Sequence, residues 1–208
     1  MRAVRAVVAS AALALLVGCG SGSSAEAPKL LTRAEADART VVPFTRGVRL
    51  DEAGRIVDVT FDAPAVVDPQ MPWLKLGLRL QGQDEEALSK AADSLREGAL
   101  KVRVHLDRLD RKNAGAVILS RSSDDGRDWV PIPNDGHVDR VSPATVDTYP
   151  LIEAGLHSRD VSYRTLEMAD AGLIDAGRYR VTVDAVDDRP EFRNLQVEFI
   201  AAYYSLGK

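Results

Sequence analysis

Leu74, Leu76, Leu78 and Leu80 alternate with Lys75, Gly77, Arg79 and Gln81. A helix would scatter four such leucines around its circumference, whereas a strand places them all on one face. This stretch is therefore a long β-strand, and the same period of two recurs along the chain. Val48 and Leu50 alternate with Arg49 and Asp51; Val57, Val59 and Phe61 alternate with Asp58, Thr60 and Asp62. Glu52-Ala53-Gly54 between these two runs reads as the turn of a hairpin with one wet face. Leu100 to Leu106, Tyr179 to Val183 and Leu195 to Tyr203 add further alternating rows. Only 84–97 has a helical period, with Leu88, Ala91, Ala92 and Leu95 on one face, Asp84, Glu85 and Glu86 in the first turn and Gly98 as the stop. Many short strands and one short inserted helix predict an all-β, mainly antiparallel sandwich with immunoglobulin-like or Greek-key wiring. A closed barrel is the alternative. With one cysteine in 208 residues no internal disulfide framework exists, and the core alone must hold the fold.

The N-terminus has a different grammar. Arg2 and Arg5 precede an uncharged apolar run over 6–17, about twelve residues, which is short of the ~20 that span a bilayer as a helix. The run closes on Leu16-Val17-Gly18-Cys19, which resembles the lipobox of bacterial lipoproteins. That resemblance implies cleavage before Cys19, attachment of diacylglycerol to its thiol and acylation of the new amine. Several acyl chains, each adding ~0.8 kcal/mol per buried methylene, make such an anchor effectively permanent. Gly20 and Ser21 follow, with no aspartate of the kind that retains many lipoproteins in the inner membrane, so the resemblance implies the periplasmic face of the outer membrane. Residues 1–18 are then a lipoprotein signal peptide, 19–42 a lipidated tether rich at first in Gly, Ser and Ala, and 43–208 the sandwich domain. Within the tether, Thr32-Arg33-Ala34-Glu35 has capping-box spacing for a short helix.

Catalytic constellations are sparse. There is no Gly-x-Ser-x-Gly elbow, and the lone thiol is assigned to lipid. His105, His137 and His157 lack paired metal-ligand spacing, and no metal or cofactor is expected. Ser122-x-Asp124-x-Gly126-x-x-Trp129 resembles the Asp-box, a structural hairpin turn of sialidase propellers; it reads as an aspartate-stabilised turn, with a calcium loop as the alternative. Removal of residues 1–18 takes away Arg2 and Arg5 and no acid, moving the formal net charge from −4 to −6, which speaks against nucleic acid. Yet Arg49, Lys75, Arg79, Lys101, Arg103, His105, Arg178 and Arg180 all occupy the polar phase of the strands. If their strands are neighbours they form a basic stripe, and Lys75, Arg79, Lys101, Arg103, His105, Arg178 and Arg180 are the candidate partner-binding face.

Gly177-Arg178-Tyr179-Arg180-Val181-Thr182-Val183, Arg189-Pro190-Glu191-Phe192 and Val197-Glu198-Phe199 resemble the closing segment of a family of proteobacterial periplasmic lipoproteins with an uncharacterised sandwich domain. The resemblance, extended over 43–204, implies a closing Gly-x-Tyr-x-Val hairpin and no catalytic residue. Some lipoproteins of similar layout are immunity proteins against secreted antibacterial effectors, lipases among them. The expected function is therefore non-enzymatic: an anchored protein-binding module, most concretely an immunity protein. An envelope assembly or structural lipoprotein is the first alternative. A glycan-binding or glycan-cleaving domain is the second, disfavoured by an aromatic content of only 5%.

Overall fold

The computed structural model describes residues 28–65, 72–123 and 127–205. They form an antiparallel β-sandwich. The larger sheet holds β1 (Phe44–Val48), β3 (Trp73–Gly82), β6 (Ser120–Ser122), β7 (Trp129–Pro131), β9 (Ser142–Ala144), β10 (Ser162–Asp170) and β12 (Val197–Tyr204). Its order is β1-β12-β3-β10-β6-β7, with β9 also paired to β10. The smaller sheet holds β2 (Gly54–Ala63), β4 (Val102–Arg108), β5 (Gly115–Ala116), β8 (His137–Val138) and β11 (Gly177–Ala185) in the order β2-β11-β4-β5, with β8 also on β4.

The four leucines of β3 are all buried and point between the sheets, as their spacing dictates. Aromatic rings join the two layers there. Phe44 of β1 lies 5.1 Å from Phe61 of β2 and 5.9 Å from Phe199 of β12, while Phe61 stacks on Tyr179 of β11 at 5.9 Å. Tilted and offset rings at these separations add attraction beyond the area they bury.

Successive long strands do not pair with one another, which corrects both expected hairpins. The β1 strand pairs with β12 and the β2 strand with β11, so 49–53 arches from one sheet to the other. Likewise β11 belongs to the smaller sheet and β12 to the larger, so the Gly-x-Tyr-x-Val segment does not close a hairpin. Alternation reports which face of a strand is buried, and strands of opposite sheets bury the same kind of face. The two arches are tied together at Asp51. Its buried carboxylate accepts hydrogen bonds from Arg49 Nε at 3.1 Å, Arg49 Nη2 at 2.7 Å and Arg193 Nε at 3.2 Å, and its carbonyl accepts from Arg189 N at 3.0 Å.

Helix α2 (Glu85–Ser94) starts at Asp84, whose Oδ1 accepts from Glu86 N and Ala87 N, and ends in a π turn over Leu95–Ala99. It buries Leu88, Ala92 and Leu95, as its stripe predicts. Two further helices flank the larger sheet. The first, α1 (Arg33–Ala38), carries the capping box of Thr32 and Glu35. The second, α3 (Thr148–Glu153), lies between β9 and β10.

Residues 28–42 belong to the folded unit, not to a tether ending at 42. Ala36 is buried with Leu151, Leu156, Ile200 and Ala202 in a second small core on the outer side of the larger sheet. Arg46 donates to the carbonyls of Ala36 and Arg39, and Thr40 and Val42 exchange backbone bonds with Asp62. Short alternations and thin helical faces such as these have too little periodicity to be told from linker before their packing partners are known.

Two outcomes test this architecture. The hydrogen bonds from Arg49, then that from Arg193, hold the Asp51 carboxyl below its ordinary 3.8, down to about 2. The folded state then binds fewer protons than the unfolded chain, so this contribution is complete above about pH 5 and is lost as pH falls towards about 2. Urea midpoints measured from pH 7 to pH 2 should fall with acid in the native chain, and Asp51→Asn should flatten part of that fall. Second, a Cβ on Gly77 would overlap the Leu166 carbonyl oxygen of the neighbouring strand. Gly77→Ala should cost about 1–3 kcal/mol in denaturant titration.

Candidate functional site

The outer faces of the two sheets differ in kind. On the larger sheet, β3 is buried on both sides, and its polar phase carries Lys75 and Arg79 under a layer of helices and short strands. Lys75 Nζ donates to Glu167 Oε2 at 2.5 Å and forms an ion pair with Asp170 Oδ2 at 2.6 Å. Glu167 and Asp170 are three positions apart on β10, so strict alternation would put them on opposite faces. A bulge between Glu167 and Ala169 shifts the phase and brings both to Lys75. Gly172 N donates to Asp170 Oδ1 at 2.6 Å, and Ser122 N to Glu167 Oε1 at 3.3 Å. Above the ammonium stand the rings of Trp129 at 4.3 Å and Tyr204 at 5.6 Å, with Trp73 edge-on to Trp129 at 5.3 Å.

Four residues further along β3, Arg79 Nε donates to Glu198 Oε1 at 2.5 Å and Nη2 to the Leu156 carbonyl at 2.7 Å. Its guanidinium lies 4.5 Å above the Tyr163 ring. Glu198 Oε2 also accepts from Arg33 Nη1 of α1 at 3.1 Å. Beside Arg79 a cavity of about 460 Å³ is walled by β9, β10 and α3, with Thr145, His157, Ser162 and Tyr163 in its lining. Burial, and then the charge of Arg79, push the His157 imidazole below its ordinary 6.5, so it is neutral at pH 7.

The smaller sheet presents an open polar face. Register places Arg55, Asp58, Thr60 and Asp62 of β2 beside Asp184, Thr182, Arg180 and Arg178 of β11, with Arg103, His105 and Asp107 of β4 on the far side. Acids and bases alternate across it. Arg180 holds Asp58 bidentately at 2.8 and 2.7 Å, and Arg55 holds Asp184 at 2.6 Å. Arg103 and Arg178 carry no side-chain ion pair among the described residues.

The expected basic stripe is thus corrected. Lys75 and Arg79 lie on the larger sheet, ion-paired and covered. Arg103, His105, Arg178 and Arg180 do share one open face, with Lys101 beside it and 3.9 Å from Asp187. Arg49 sits in the first arch on Asp51. Basic residues on the polar phase were visible in sequence; the acids interleaved with them set the result to a balanced lattice of charge. Sequence reading missed Glu167, Asp170 and Glu198 as partners. Glu198 has a clear polar phase, whereas the bulge hides that of Asp170.

Cys19, the signal peptide, residues 19–27 of the tether and Asp124-Asp125-Gly126 lie outside the described residues. On either side of the last of these, Ser123 Oγ accepts from Asp128 N at 3.0 Å and Ser123 N donates to the Asp128 carbonyl at 2.8 Å, tying the neighbouring ends of β6 and β7 together. No group of three or more metal-ligating side chains occurs among the described residues, and no helix among them is long and apolar enough to cross a membrane.

The chain is therefore a two-sheet antiparallel sandwich with one open and one covered outer face. No family profile and no curated protein matches it. Among solved structures it is similar to the crystal structure of GEBA250068378 from Sulfurospirillum deleyianum, at 10% identity over 78% of this chain and 97% of that chain, with a TM-score of 0.45.

Removing Lys75 would leave two carboxylates buried face to face. Lys75→Met should cost about 3–5 kcal/mol in urea unfolding, and adding Glu167→Gln and Asp170→Asn to it should recover most of that loss. If Lys75→Met alone proved neutral, the ion cluster would not hold β10 to β3.

Proposed function

We propose that this chain is a non-enzymatic, lipid-anchored protein of the periplasmic face of the outer membrane, and that its sandwich acts by binding a protein partner. The most concrete form of the reading is an immunity protein that neutralises an antibacterial effector. The observation that carries it is the asymmetry of the sandwich. The outer face of the larger sheet is closed by its own helices, whereas among the described residues β2, β11 and β4 leave theirs open, with Arg103 and Arg178 outside any ion pair there. A lattice of alternating charge favours one partner register and penalises others, which suits selective recognition more than general adhesion.

Size adds a constraint. Three strands about 4.8 Å apart and some eight residues long, at ~3.4 Å each, present on the order of 400 Å². A standard interface takes ~800 Å² from each partner. The loops at 109–114, after β4, and at 132–136, before β8, supply further surface beside this sheet. Anchoring itself rests on Leu16-Val17-Gly18-Cys19.

Two measurements test the reading. The chain should take up labelled palmitate in cells, and Cys19→Ala should abolish the label. In a strain lacking the gene, the product of the adjacent gene, directed to the periplasm, should arrest growth. The native chain should restore growth, and the doubly reversed Arg103→Glu/Arg178→Glu chain should not, although it melts at the same temperature. A neighbour that is harmless in the deletion strain would overturn the immunity reading, and full protection by the reversed chain would remove the open face from it.

A further inference from the structure

The point where the tether joins the sandwich says which way an anchored molecule faces. Leu31 N donates to the Gly155 carbonyl at 2.9 Å, and the Leu31 side chain packs on the second core. Gly155 has φ +68°, and a Cβ there would overlap the Lys29 carbonyl, so the chain at 29–31 lies directly across this glycine. The junction is therefore on the side of the larger sheet, beside α3, opposite the open face.

From Cys19 to Pro28 the chain has nine peptide steps, which reach at most about 30 Å. To lay the open sheet on the membrane, the tether would have to pass the helix layer and both sheets. Those layers are about 10 Å apart, so nearly the whole reach would be used at full extension. The near side needs almost none of it, and a slack tether keeps its conformational freedom.

The side chains around the junction suit a lipid surface. Leu30 is flanked by the inward-packed Leu31 and is itself 52% exposed. On α3, Leu151 points into the second core, and Tyr149, two residues earlier and so about 200° around the helix, is 69% exposed. An amphipathic tyrosine ring and a leucine side chain both gain by settling at headgroup depth.

We propose that the face made by Leu30 and the outer side of α3, with Tyr149 at its centre, rests on the lipid headgroups when the chain is anchored through Cys19. This rests on the anchoring reading above. It turns the lattice of Arg103, Arg178 and Arg180 away from the bilayer, towards incoming partners.

The sequence has a single cysteine, and lipidation occupies it, so any introduced thiol is unique in the mature protein. The lipidated chain bearing Tyr149→Cys, Leu30→Cys or Thr60→Cys is labelled with a fluorophore. It is then reconstituted into phosphatidylethanolamine–phosphatidylglycerol vesicles containing headgroup nitroxide lipid. Labels at 149 and 30 should lose most of their emission, and the label at 60, on the open sheet, should keep it. Protein that stays on carbonate-washed vesicles with all three labels equally bright, or with label 60 the one quenched, overturns the orientation alone. Protein that washes off overturns the anchor and the orientation together.

Discussion

A strand buried on both faces cannot leave a charge unpaired, and β3 carries two. Its inner phase is the leucine row that forms the centre of the core, and its outer phase holds Lys75 and Arg79. Each cation is met by acids from the neighbouring strands: Glu167 and Asp170 on one side, Glu198 on the other. Pairing with a strand on either side thus fixes backbone register and neutralises charge at once. Solvent is then excluded by the layer above, which itself makes these contacts. Arg33 of α1 reaches Glu198, the carbonyl of Leu156 after α3 receives Arg79, and Trp129 of β7 roofs Lys75. Buried ion pairs are an uncertain source of stability, but they strongly penalise any shifted arrangement, because a slip of one residue would strand them.

That closed side throws the open one into relief. On the smaller sheet the ion pairs stand in water, where exposed bonds such as Arg180 to Asp58 contribute little to stability. Their arrangement bears more on recognition than on folding. Balanced charge also explains why a net acidic chain can carry so many arginines on one face without repelling its own strands.

Much of the architecture was legible in the residues. The long strands β2, β3, β4, β11 and β12, the inward leucines of β3, the short helix after Asp84 and the Thr32–Glu35 capping box follow from periodicity and capping chemistry alone. Pairing did not, because Val48 and Val57 look alike whether they face each other across a turn or across the core. The partner set of Lys75 was unreadable for a different reason: a bulge of one residue at Met168 inverts the phase that sequence reading relies on. The basic face was half legible. Residue type and phase placed Arg103, His105, Arg178 and Arg180 on a wet surface. Only the strand order could show that Lys75 and Arg79 belong to the other sheet.

The wiring has a consequence for how the chain comes into being. The first strand, β1, finds its hydrogen-bonding partner in the last, β12, with Phe44 opposite Ala201. Strands β2 and β11 are likewise joined from opposite ends of the sequence. A polypeptide made from its N-terminus therefore has no partner for its opening strands until its closing ones exist. Loops that long carry a large entropic cost before any native contact rewards it, which places this topology among the slow folders of high contact order. During that interval the unpaired edges of β1 and β2 are exposed, and the arginines and aspartates spaced along them act as gatekeepers against self-association.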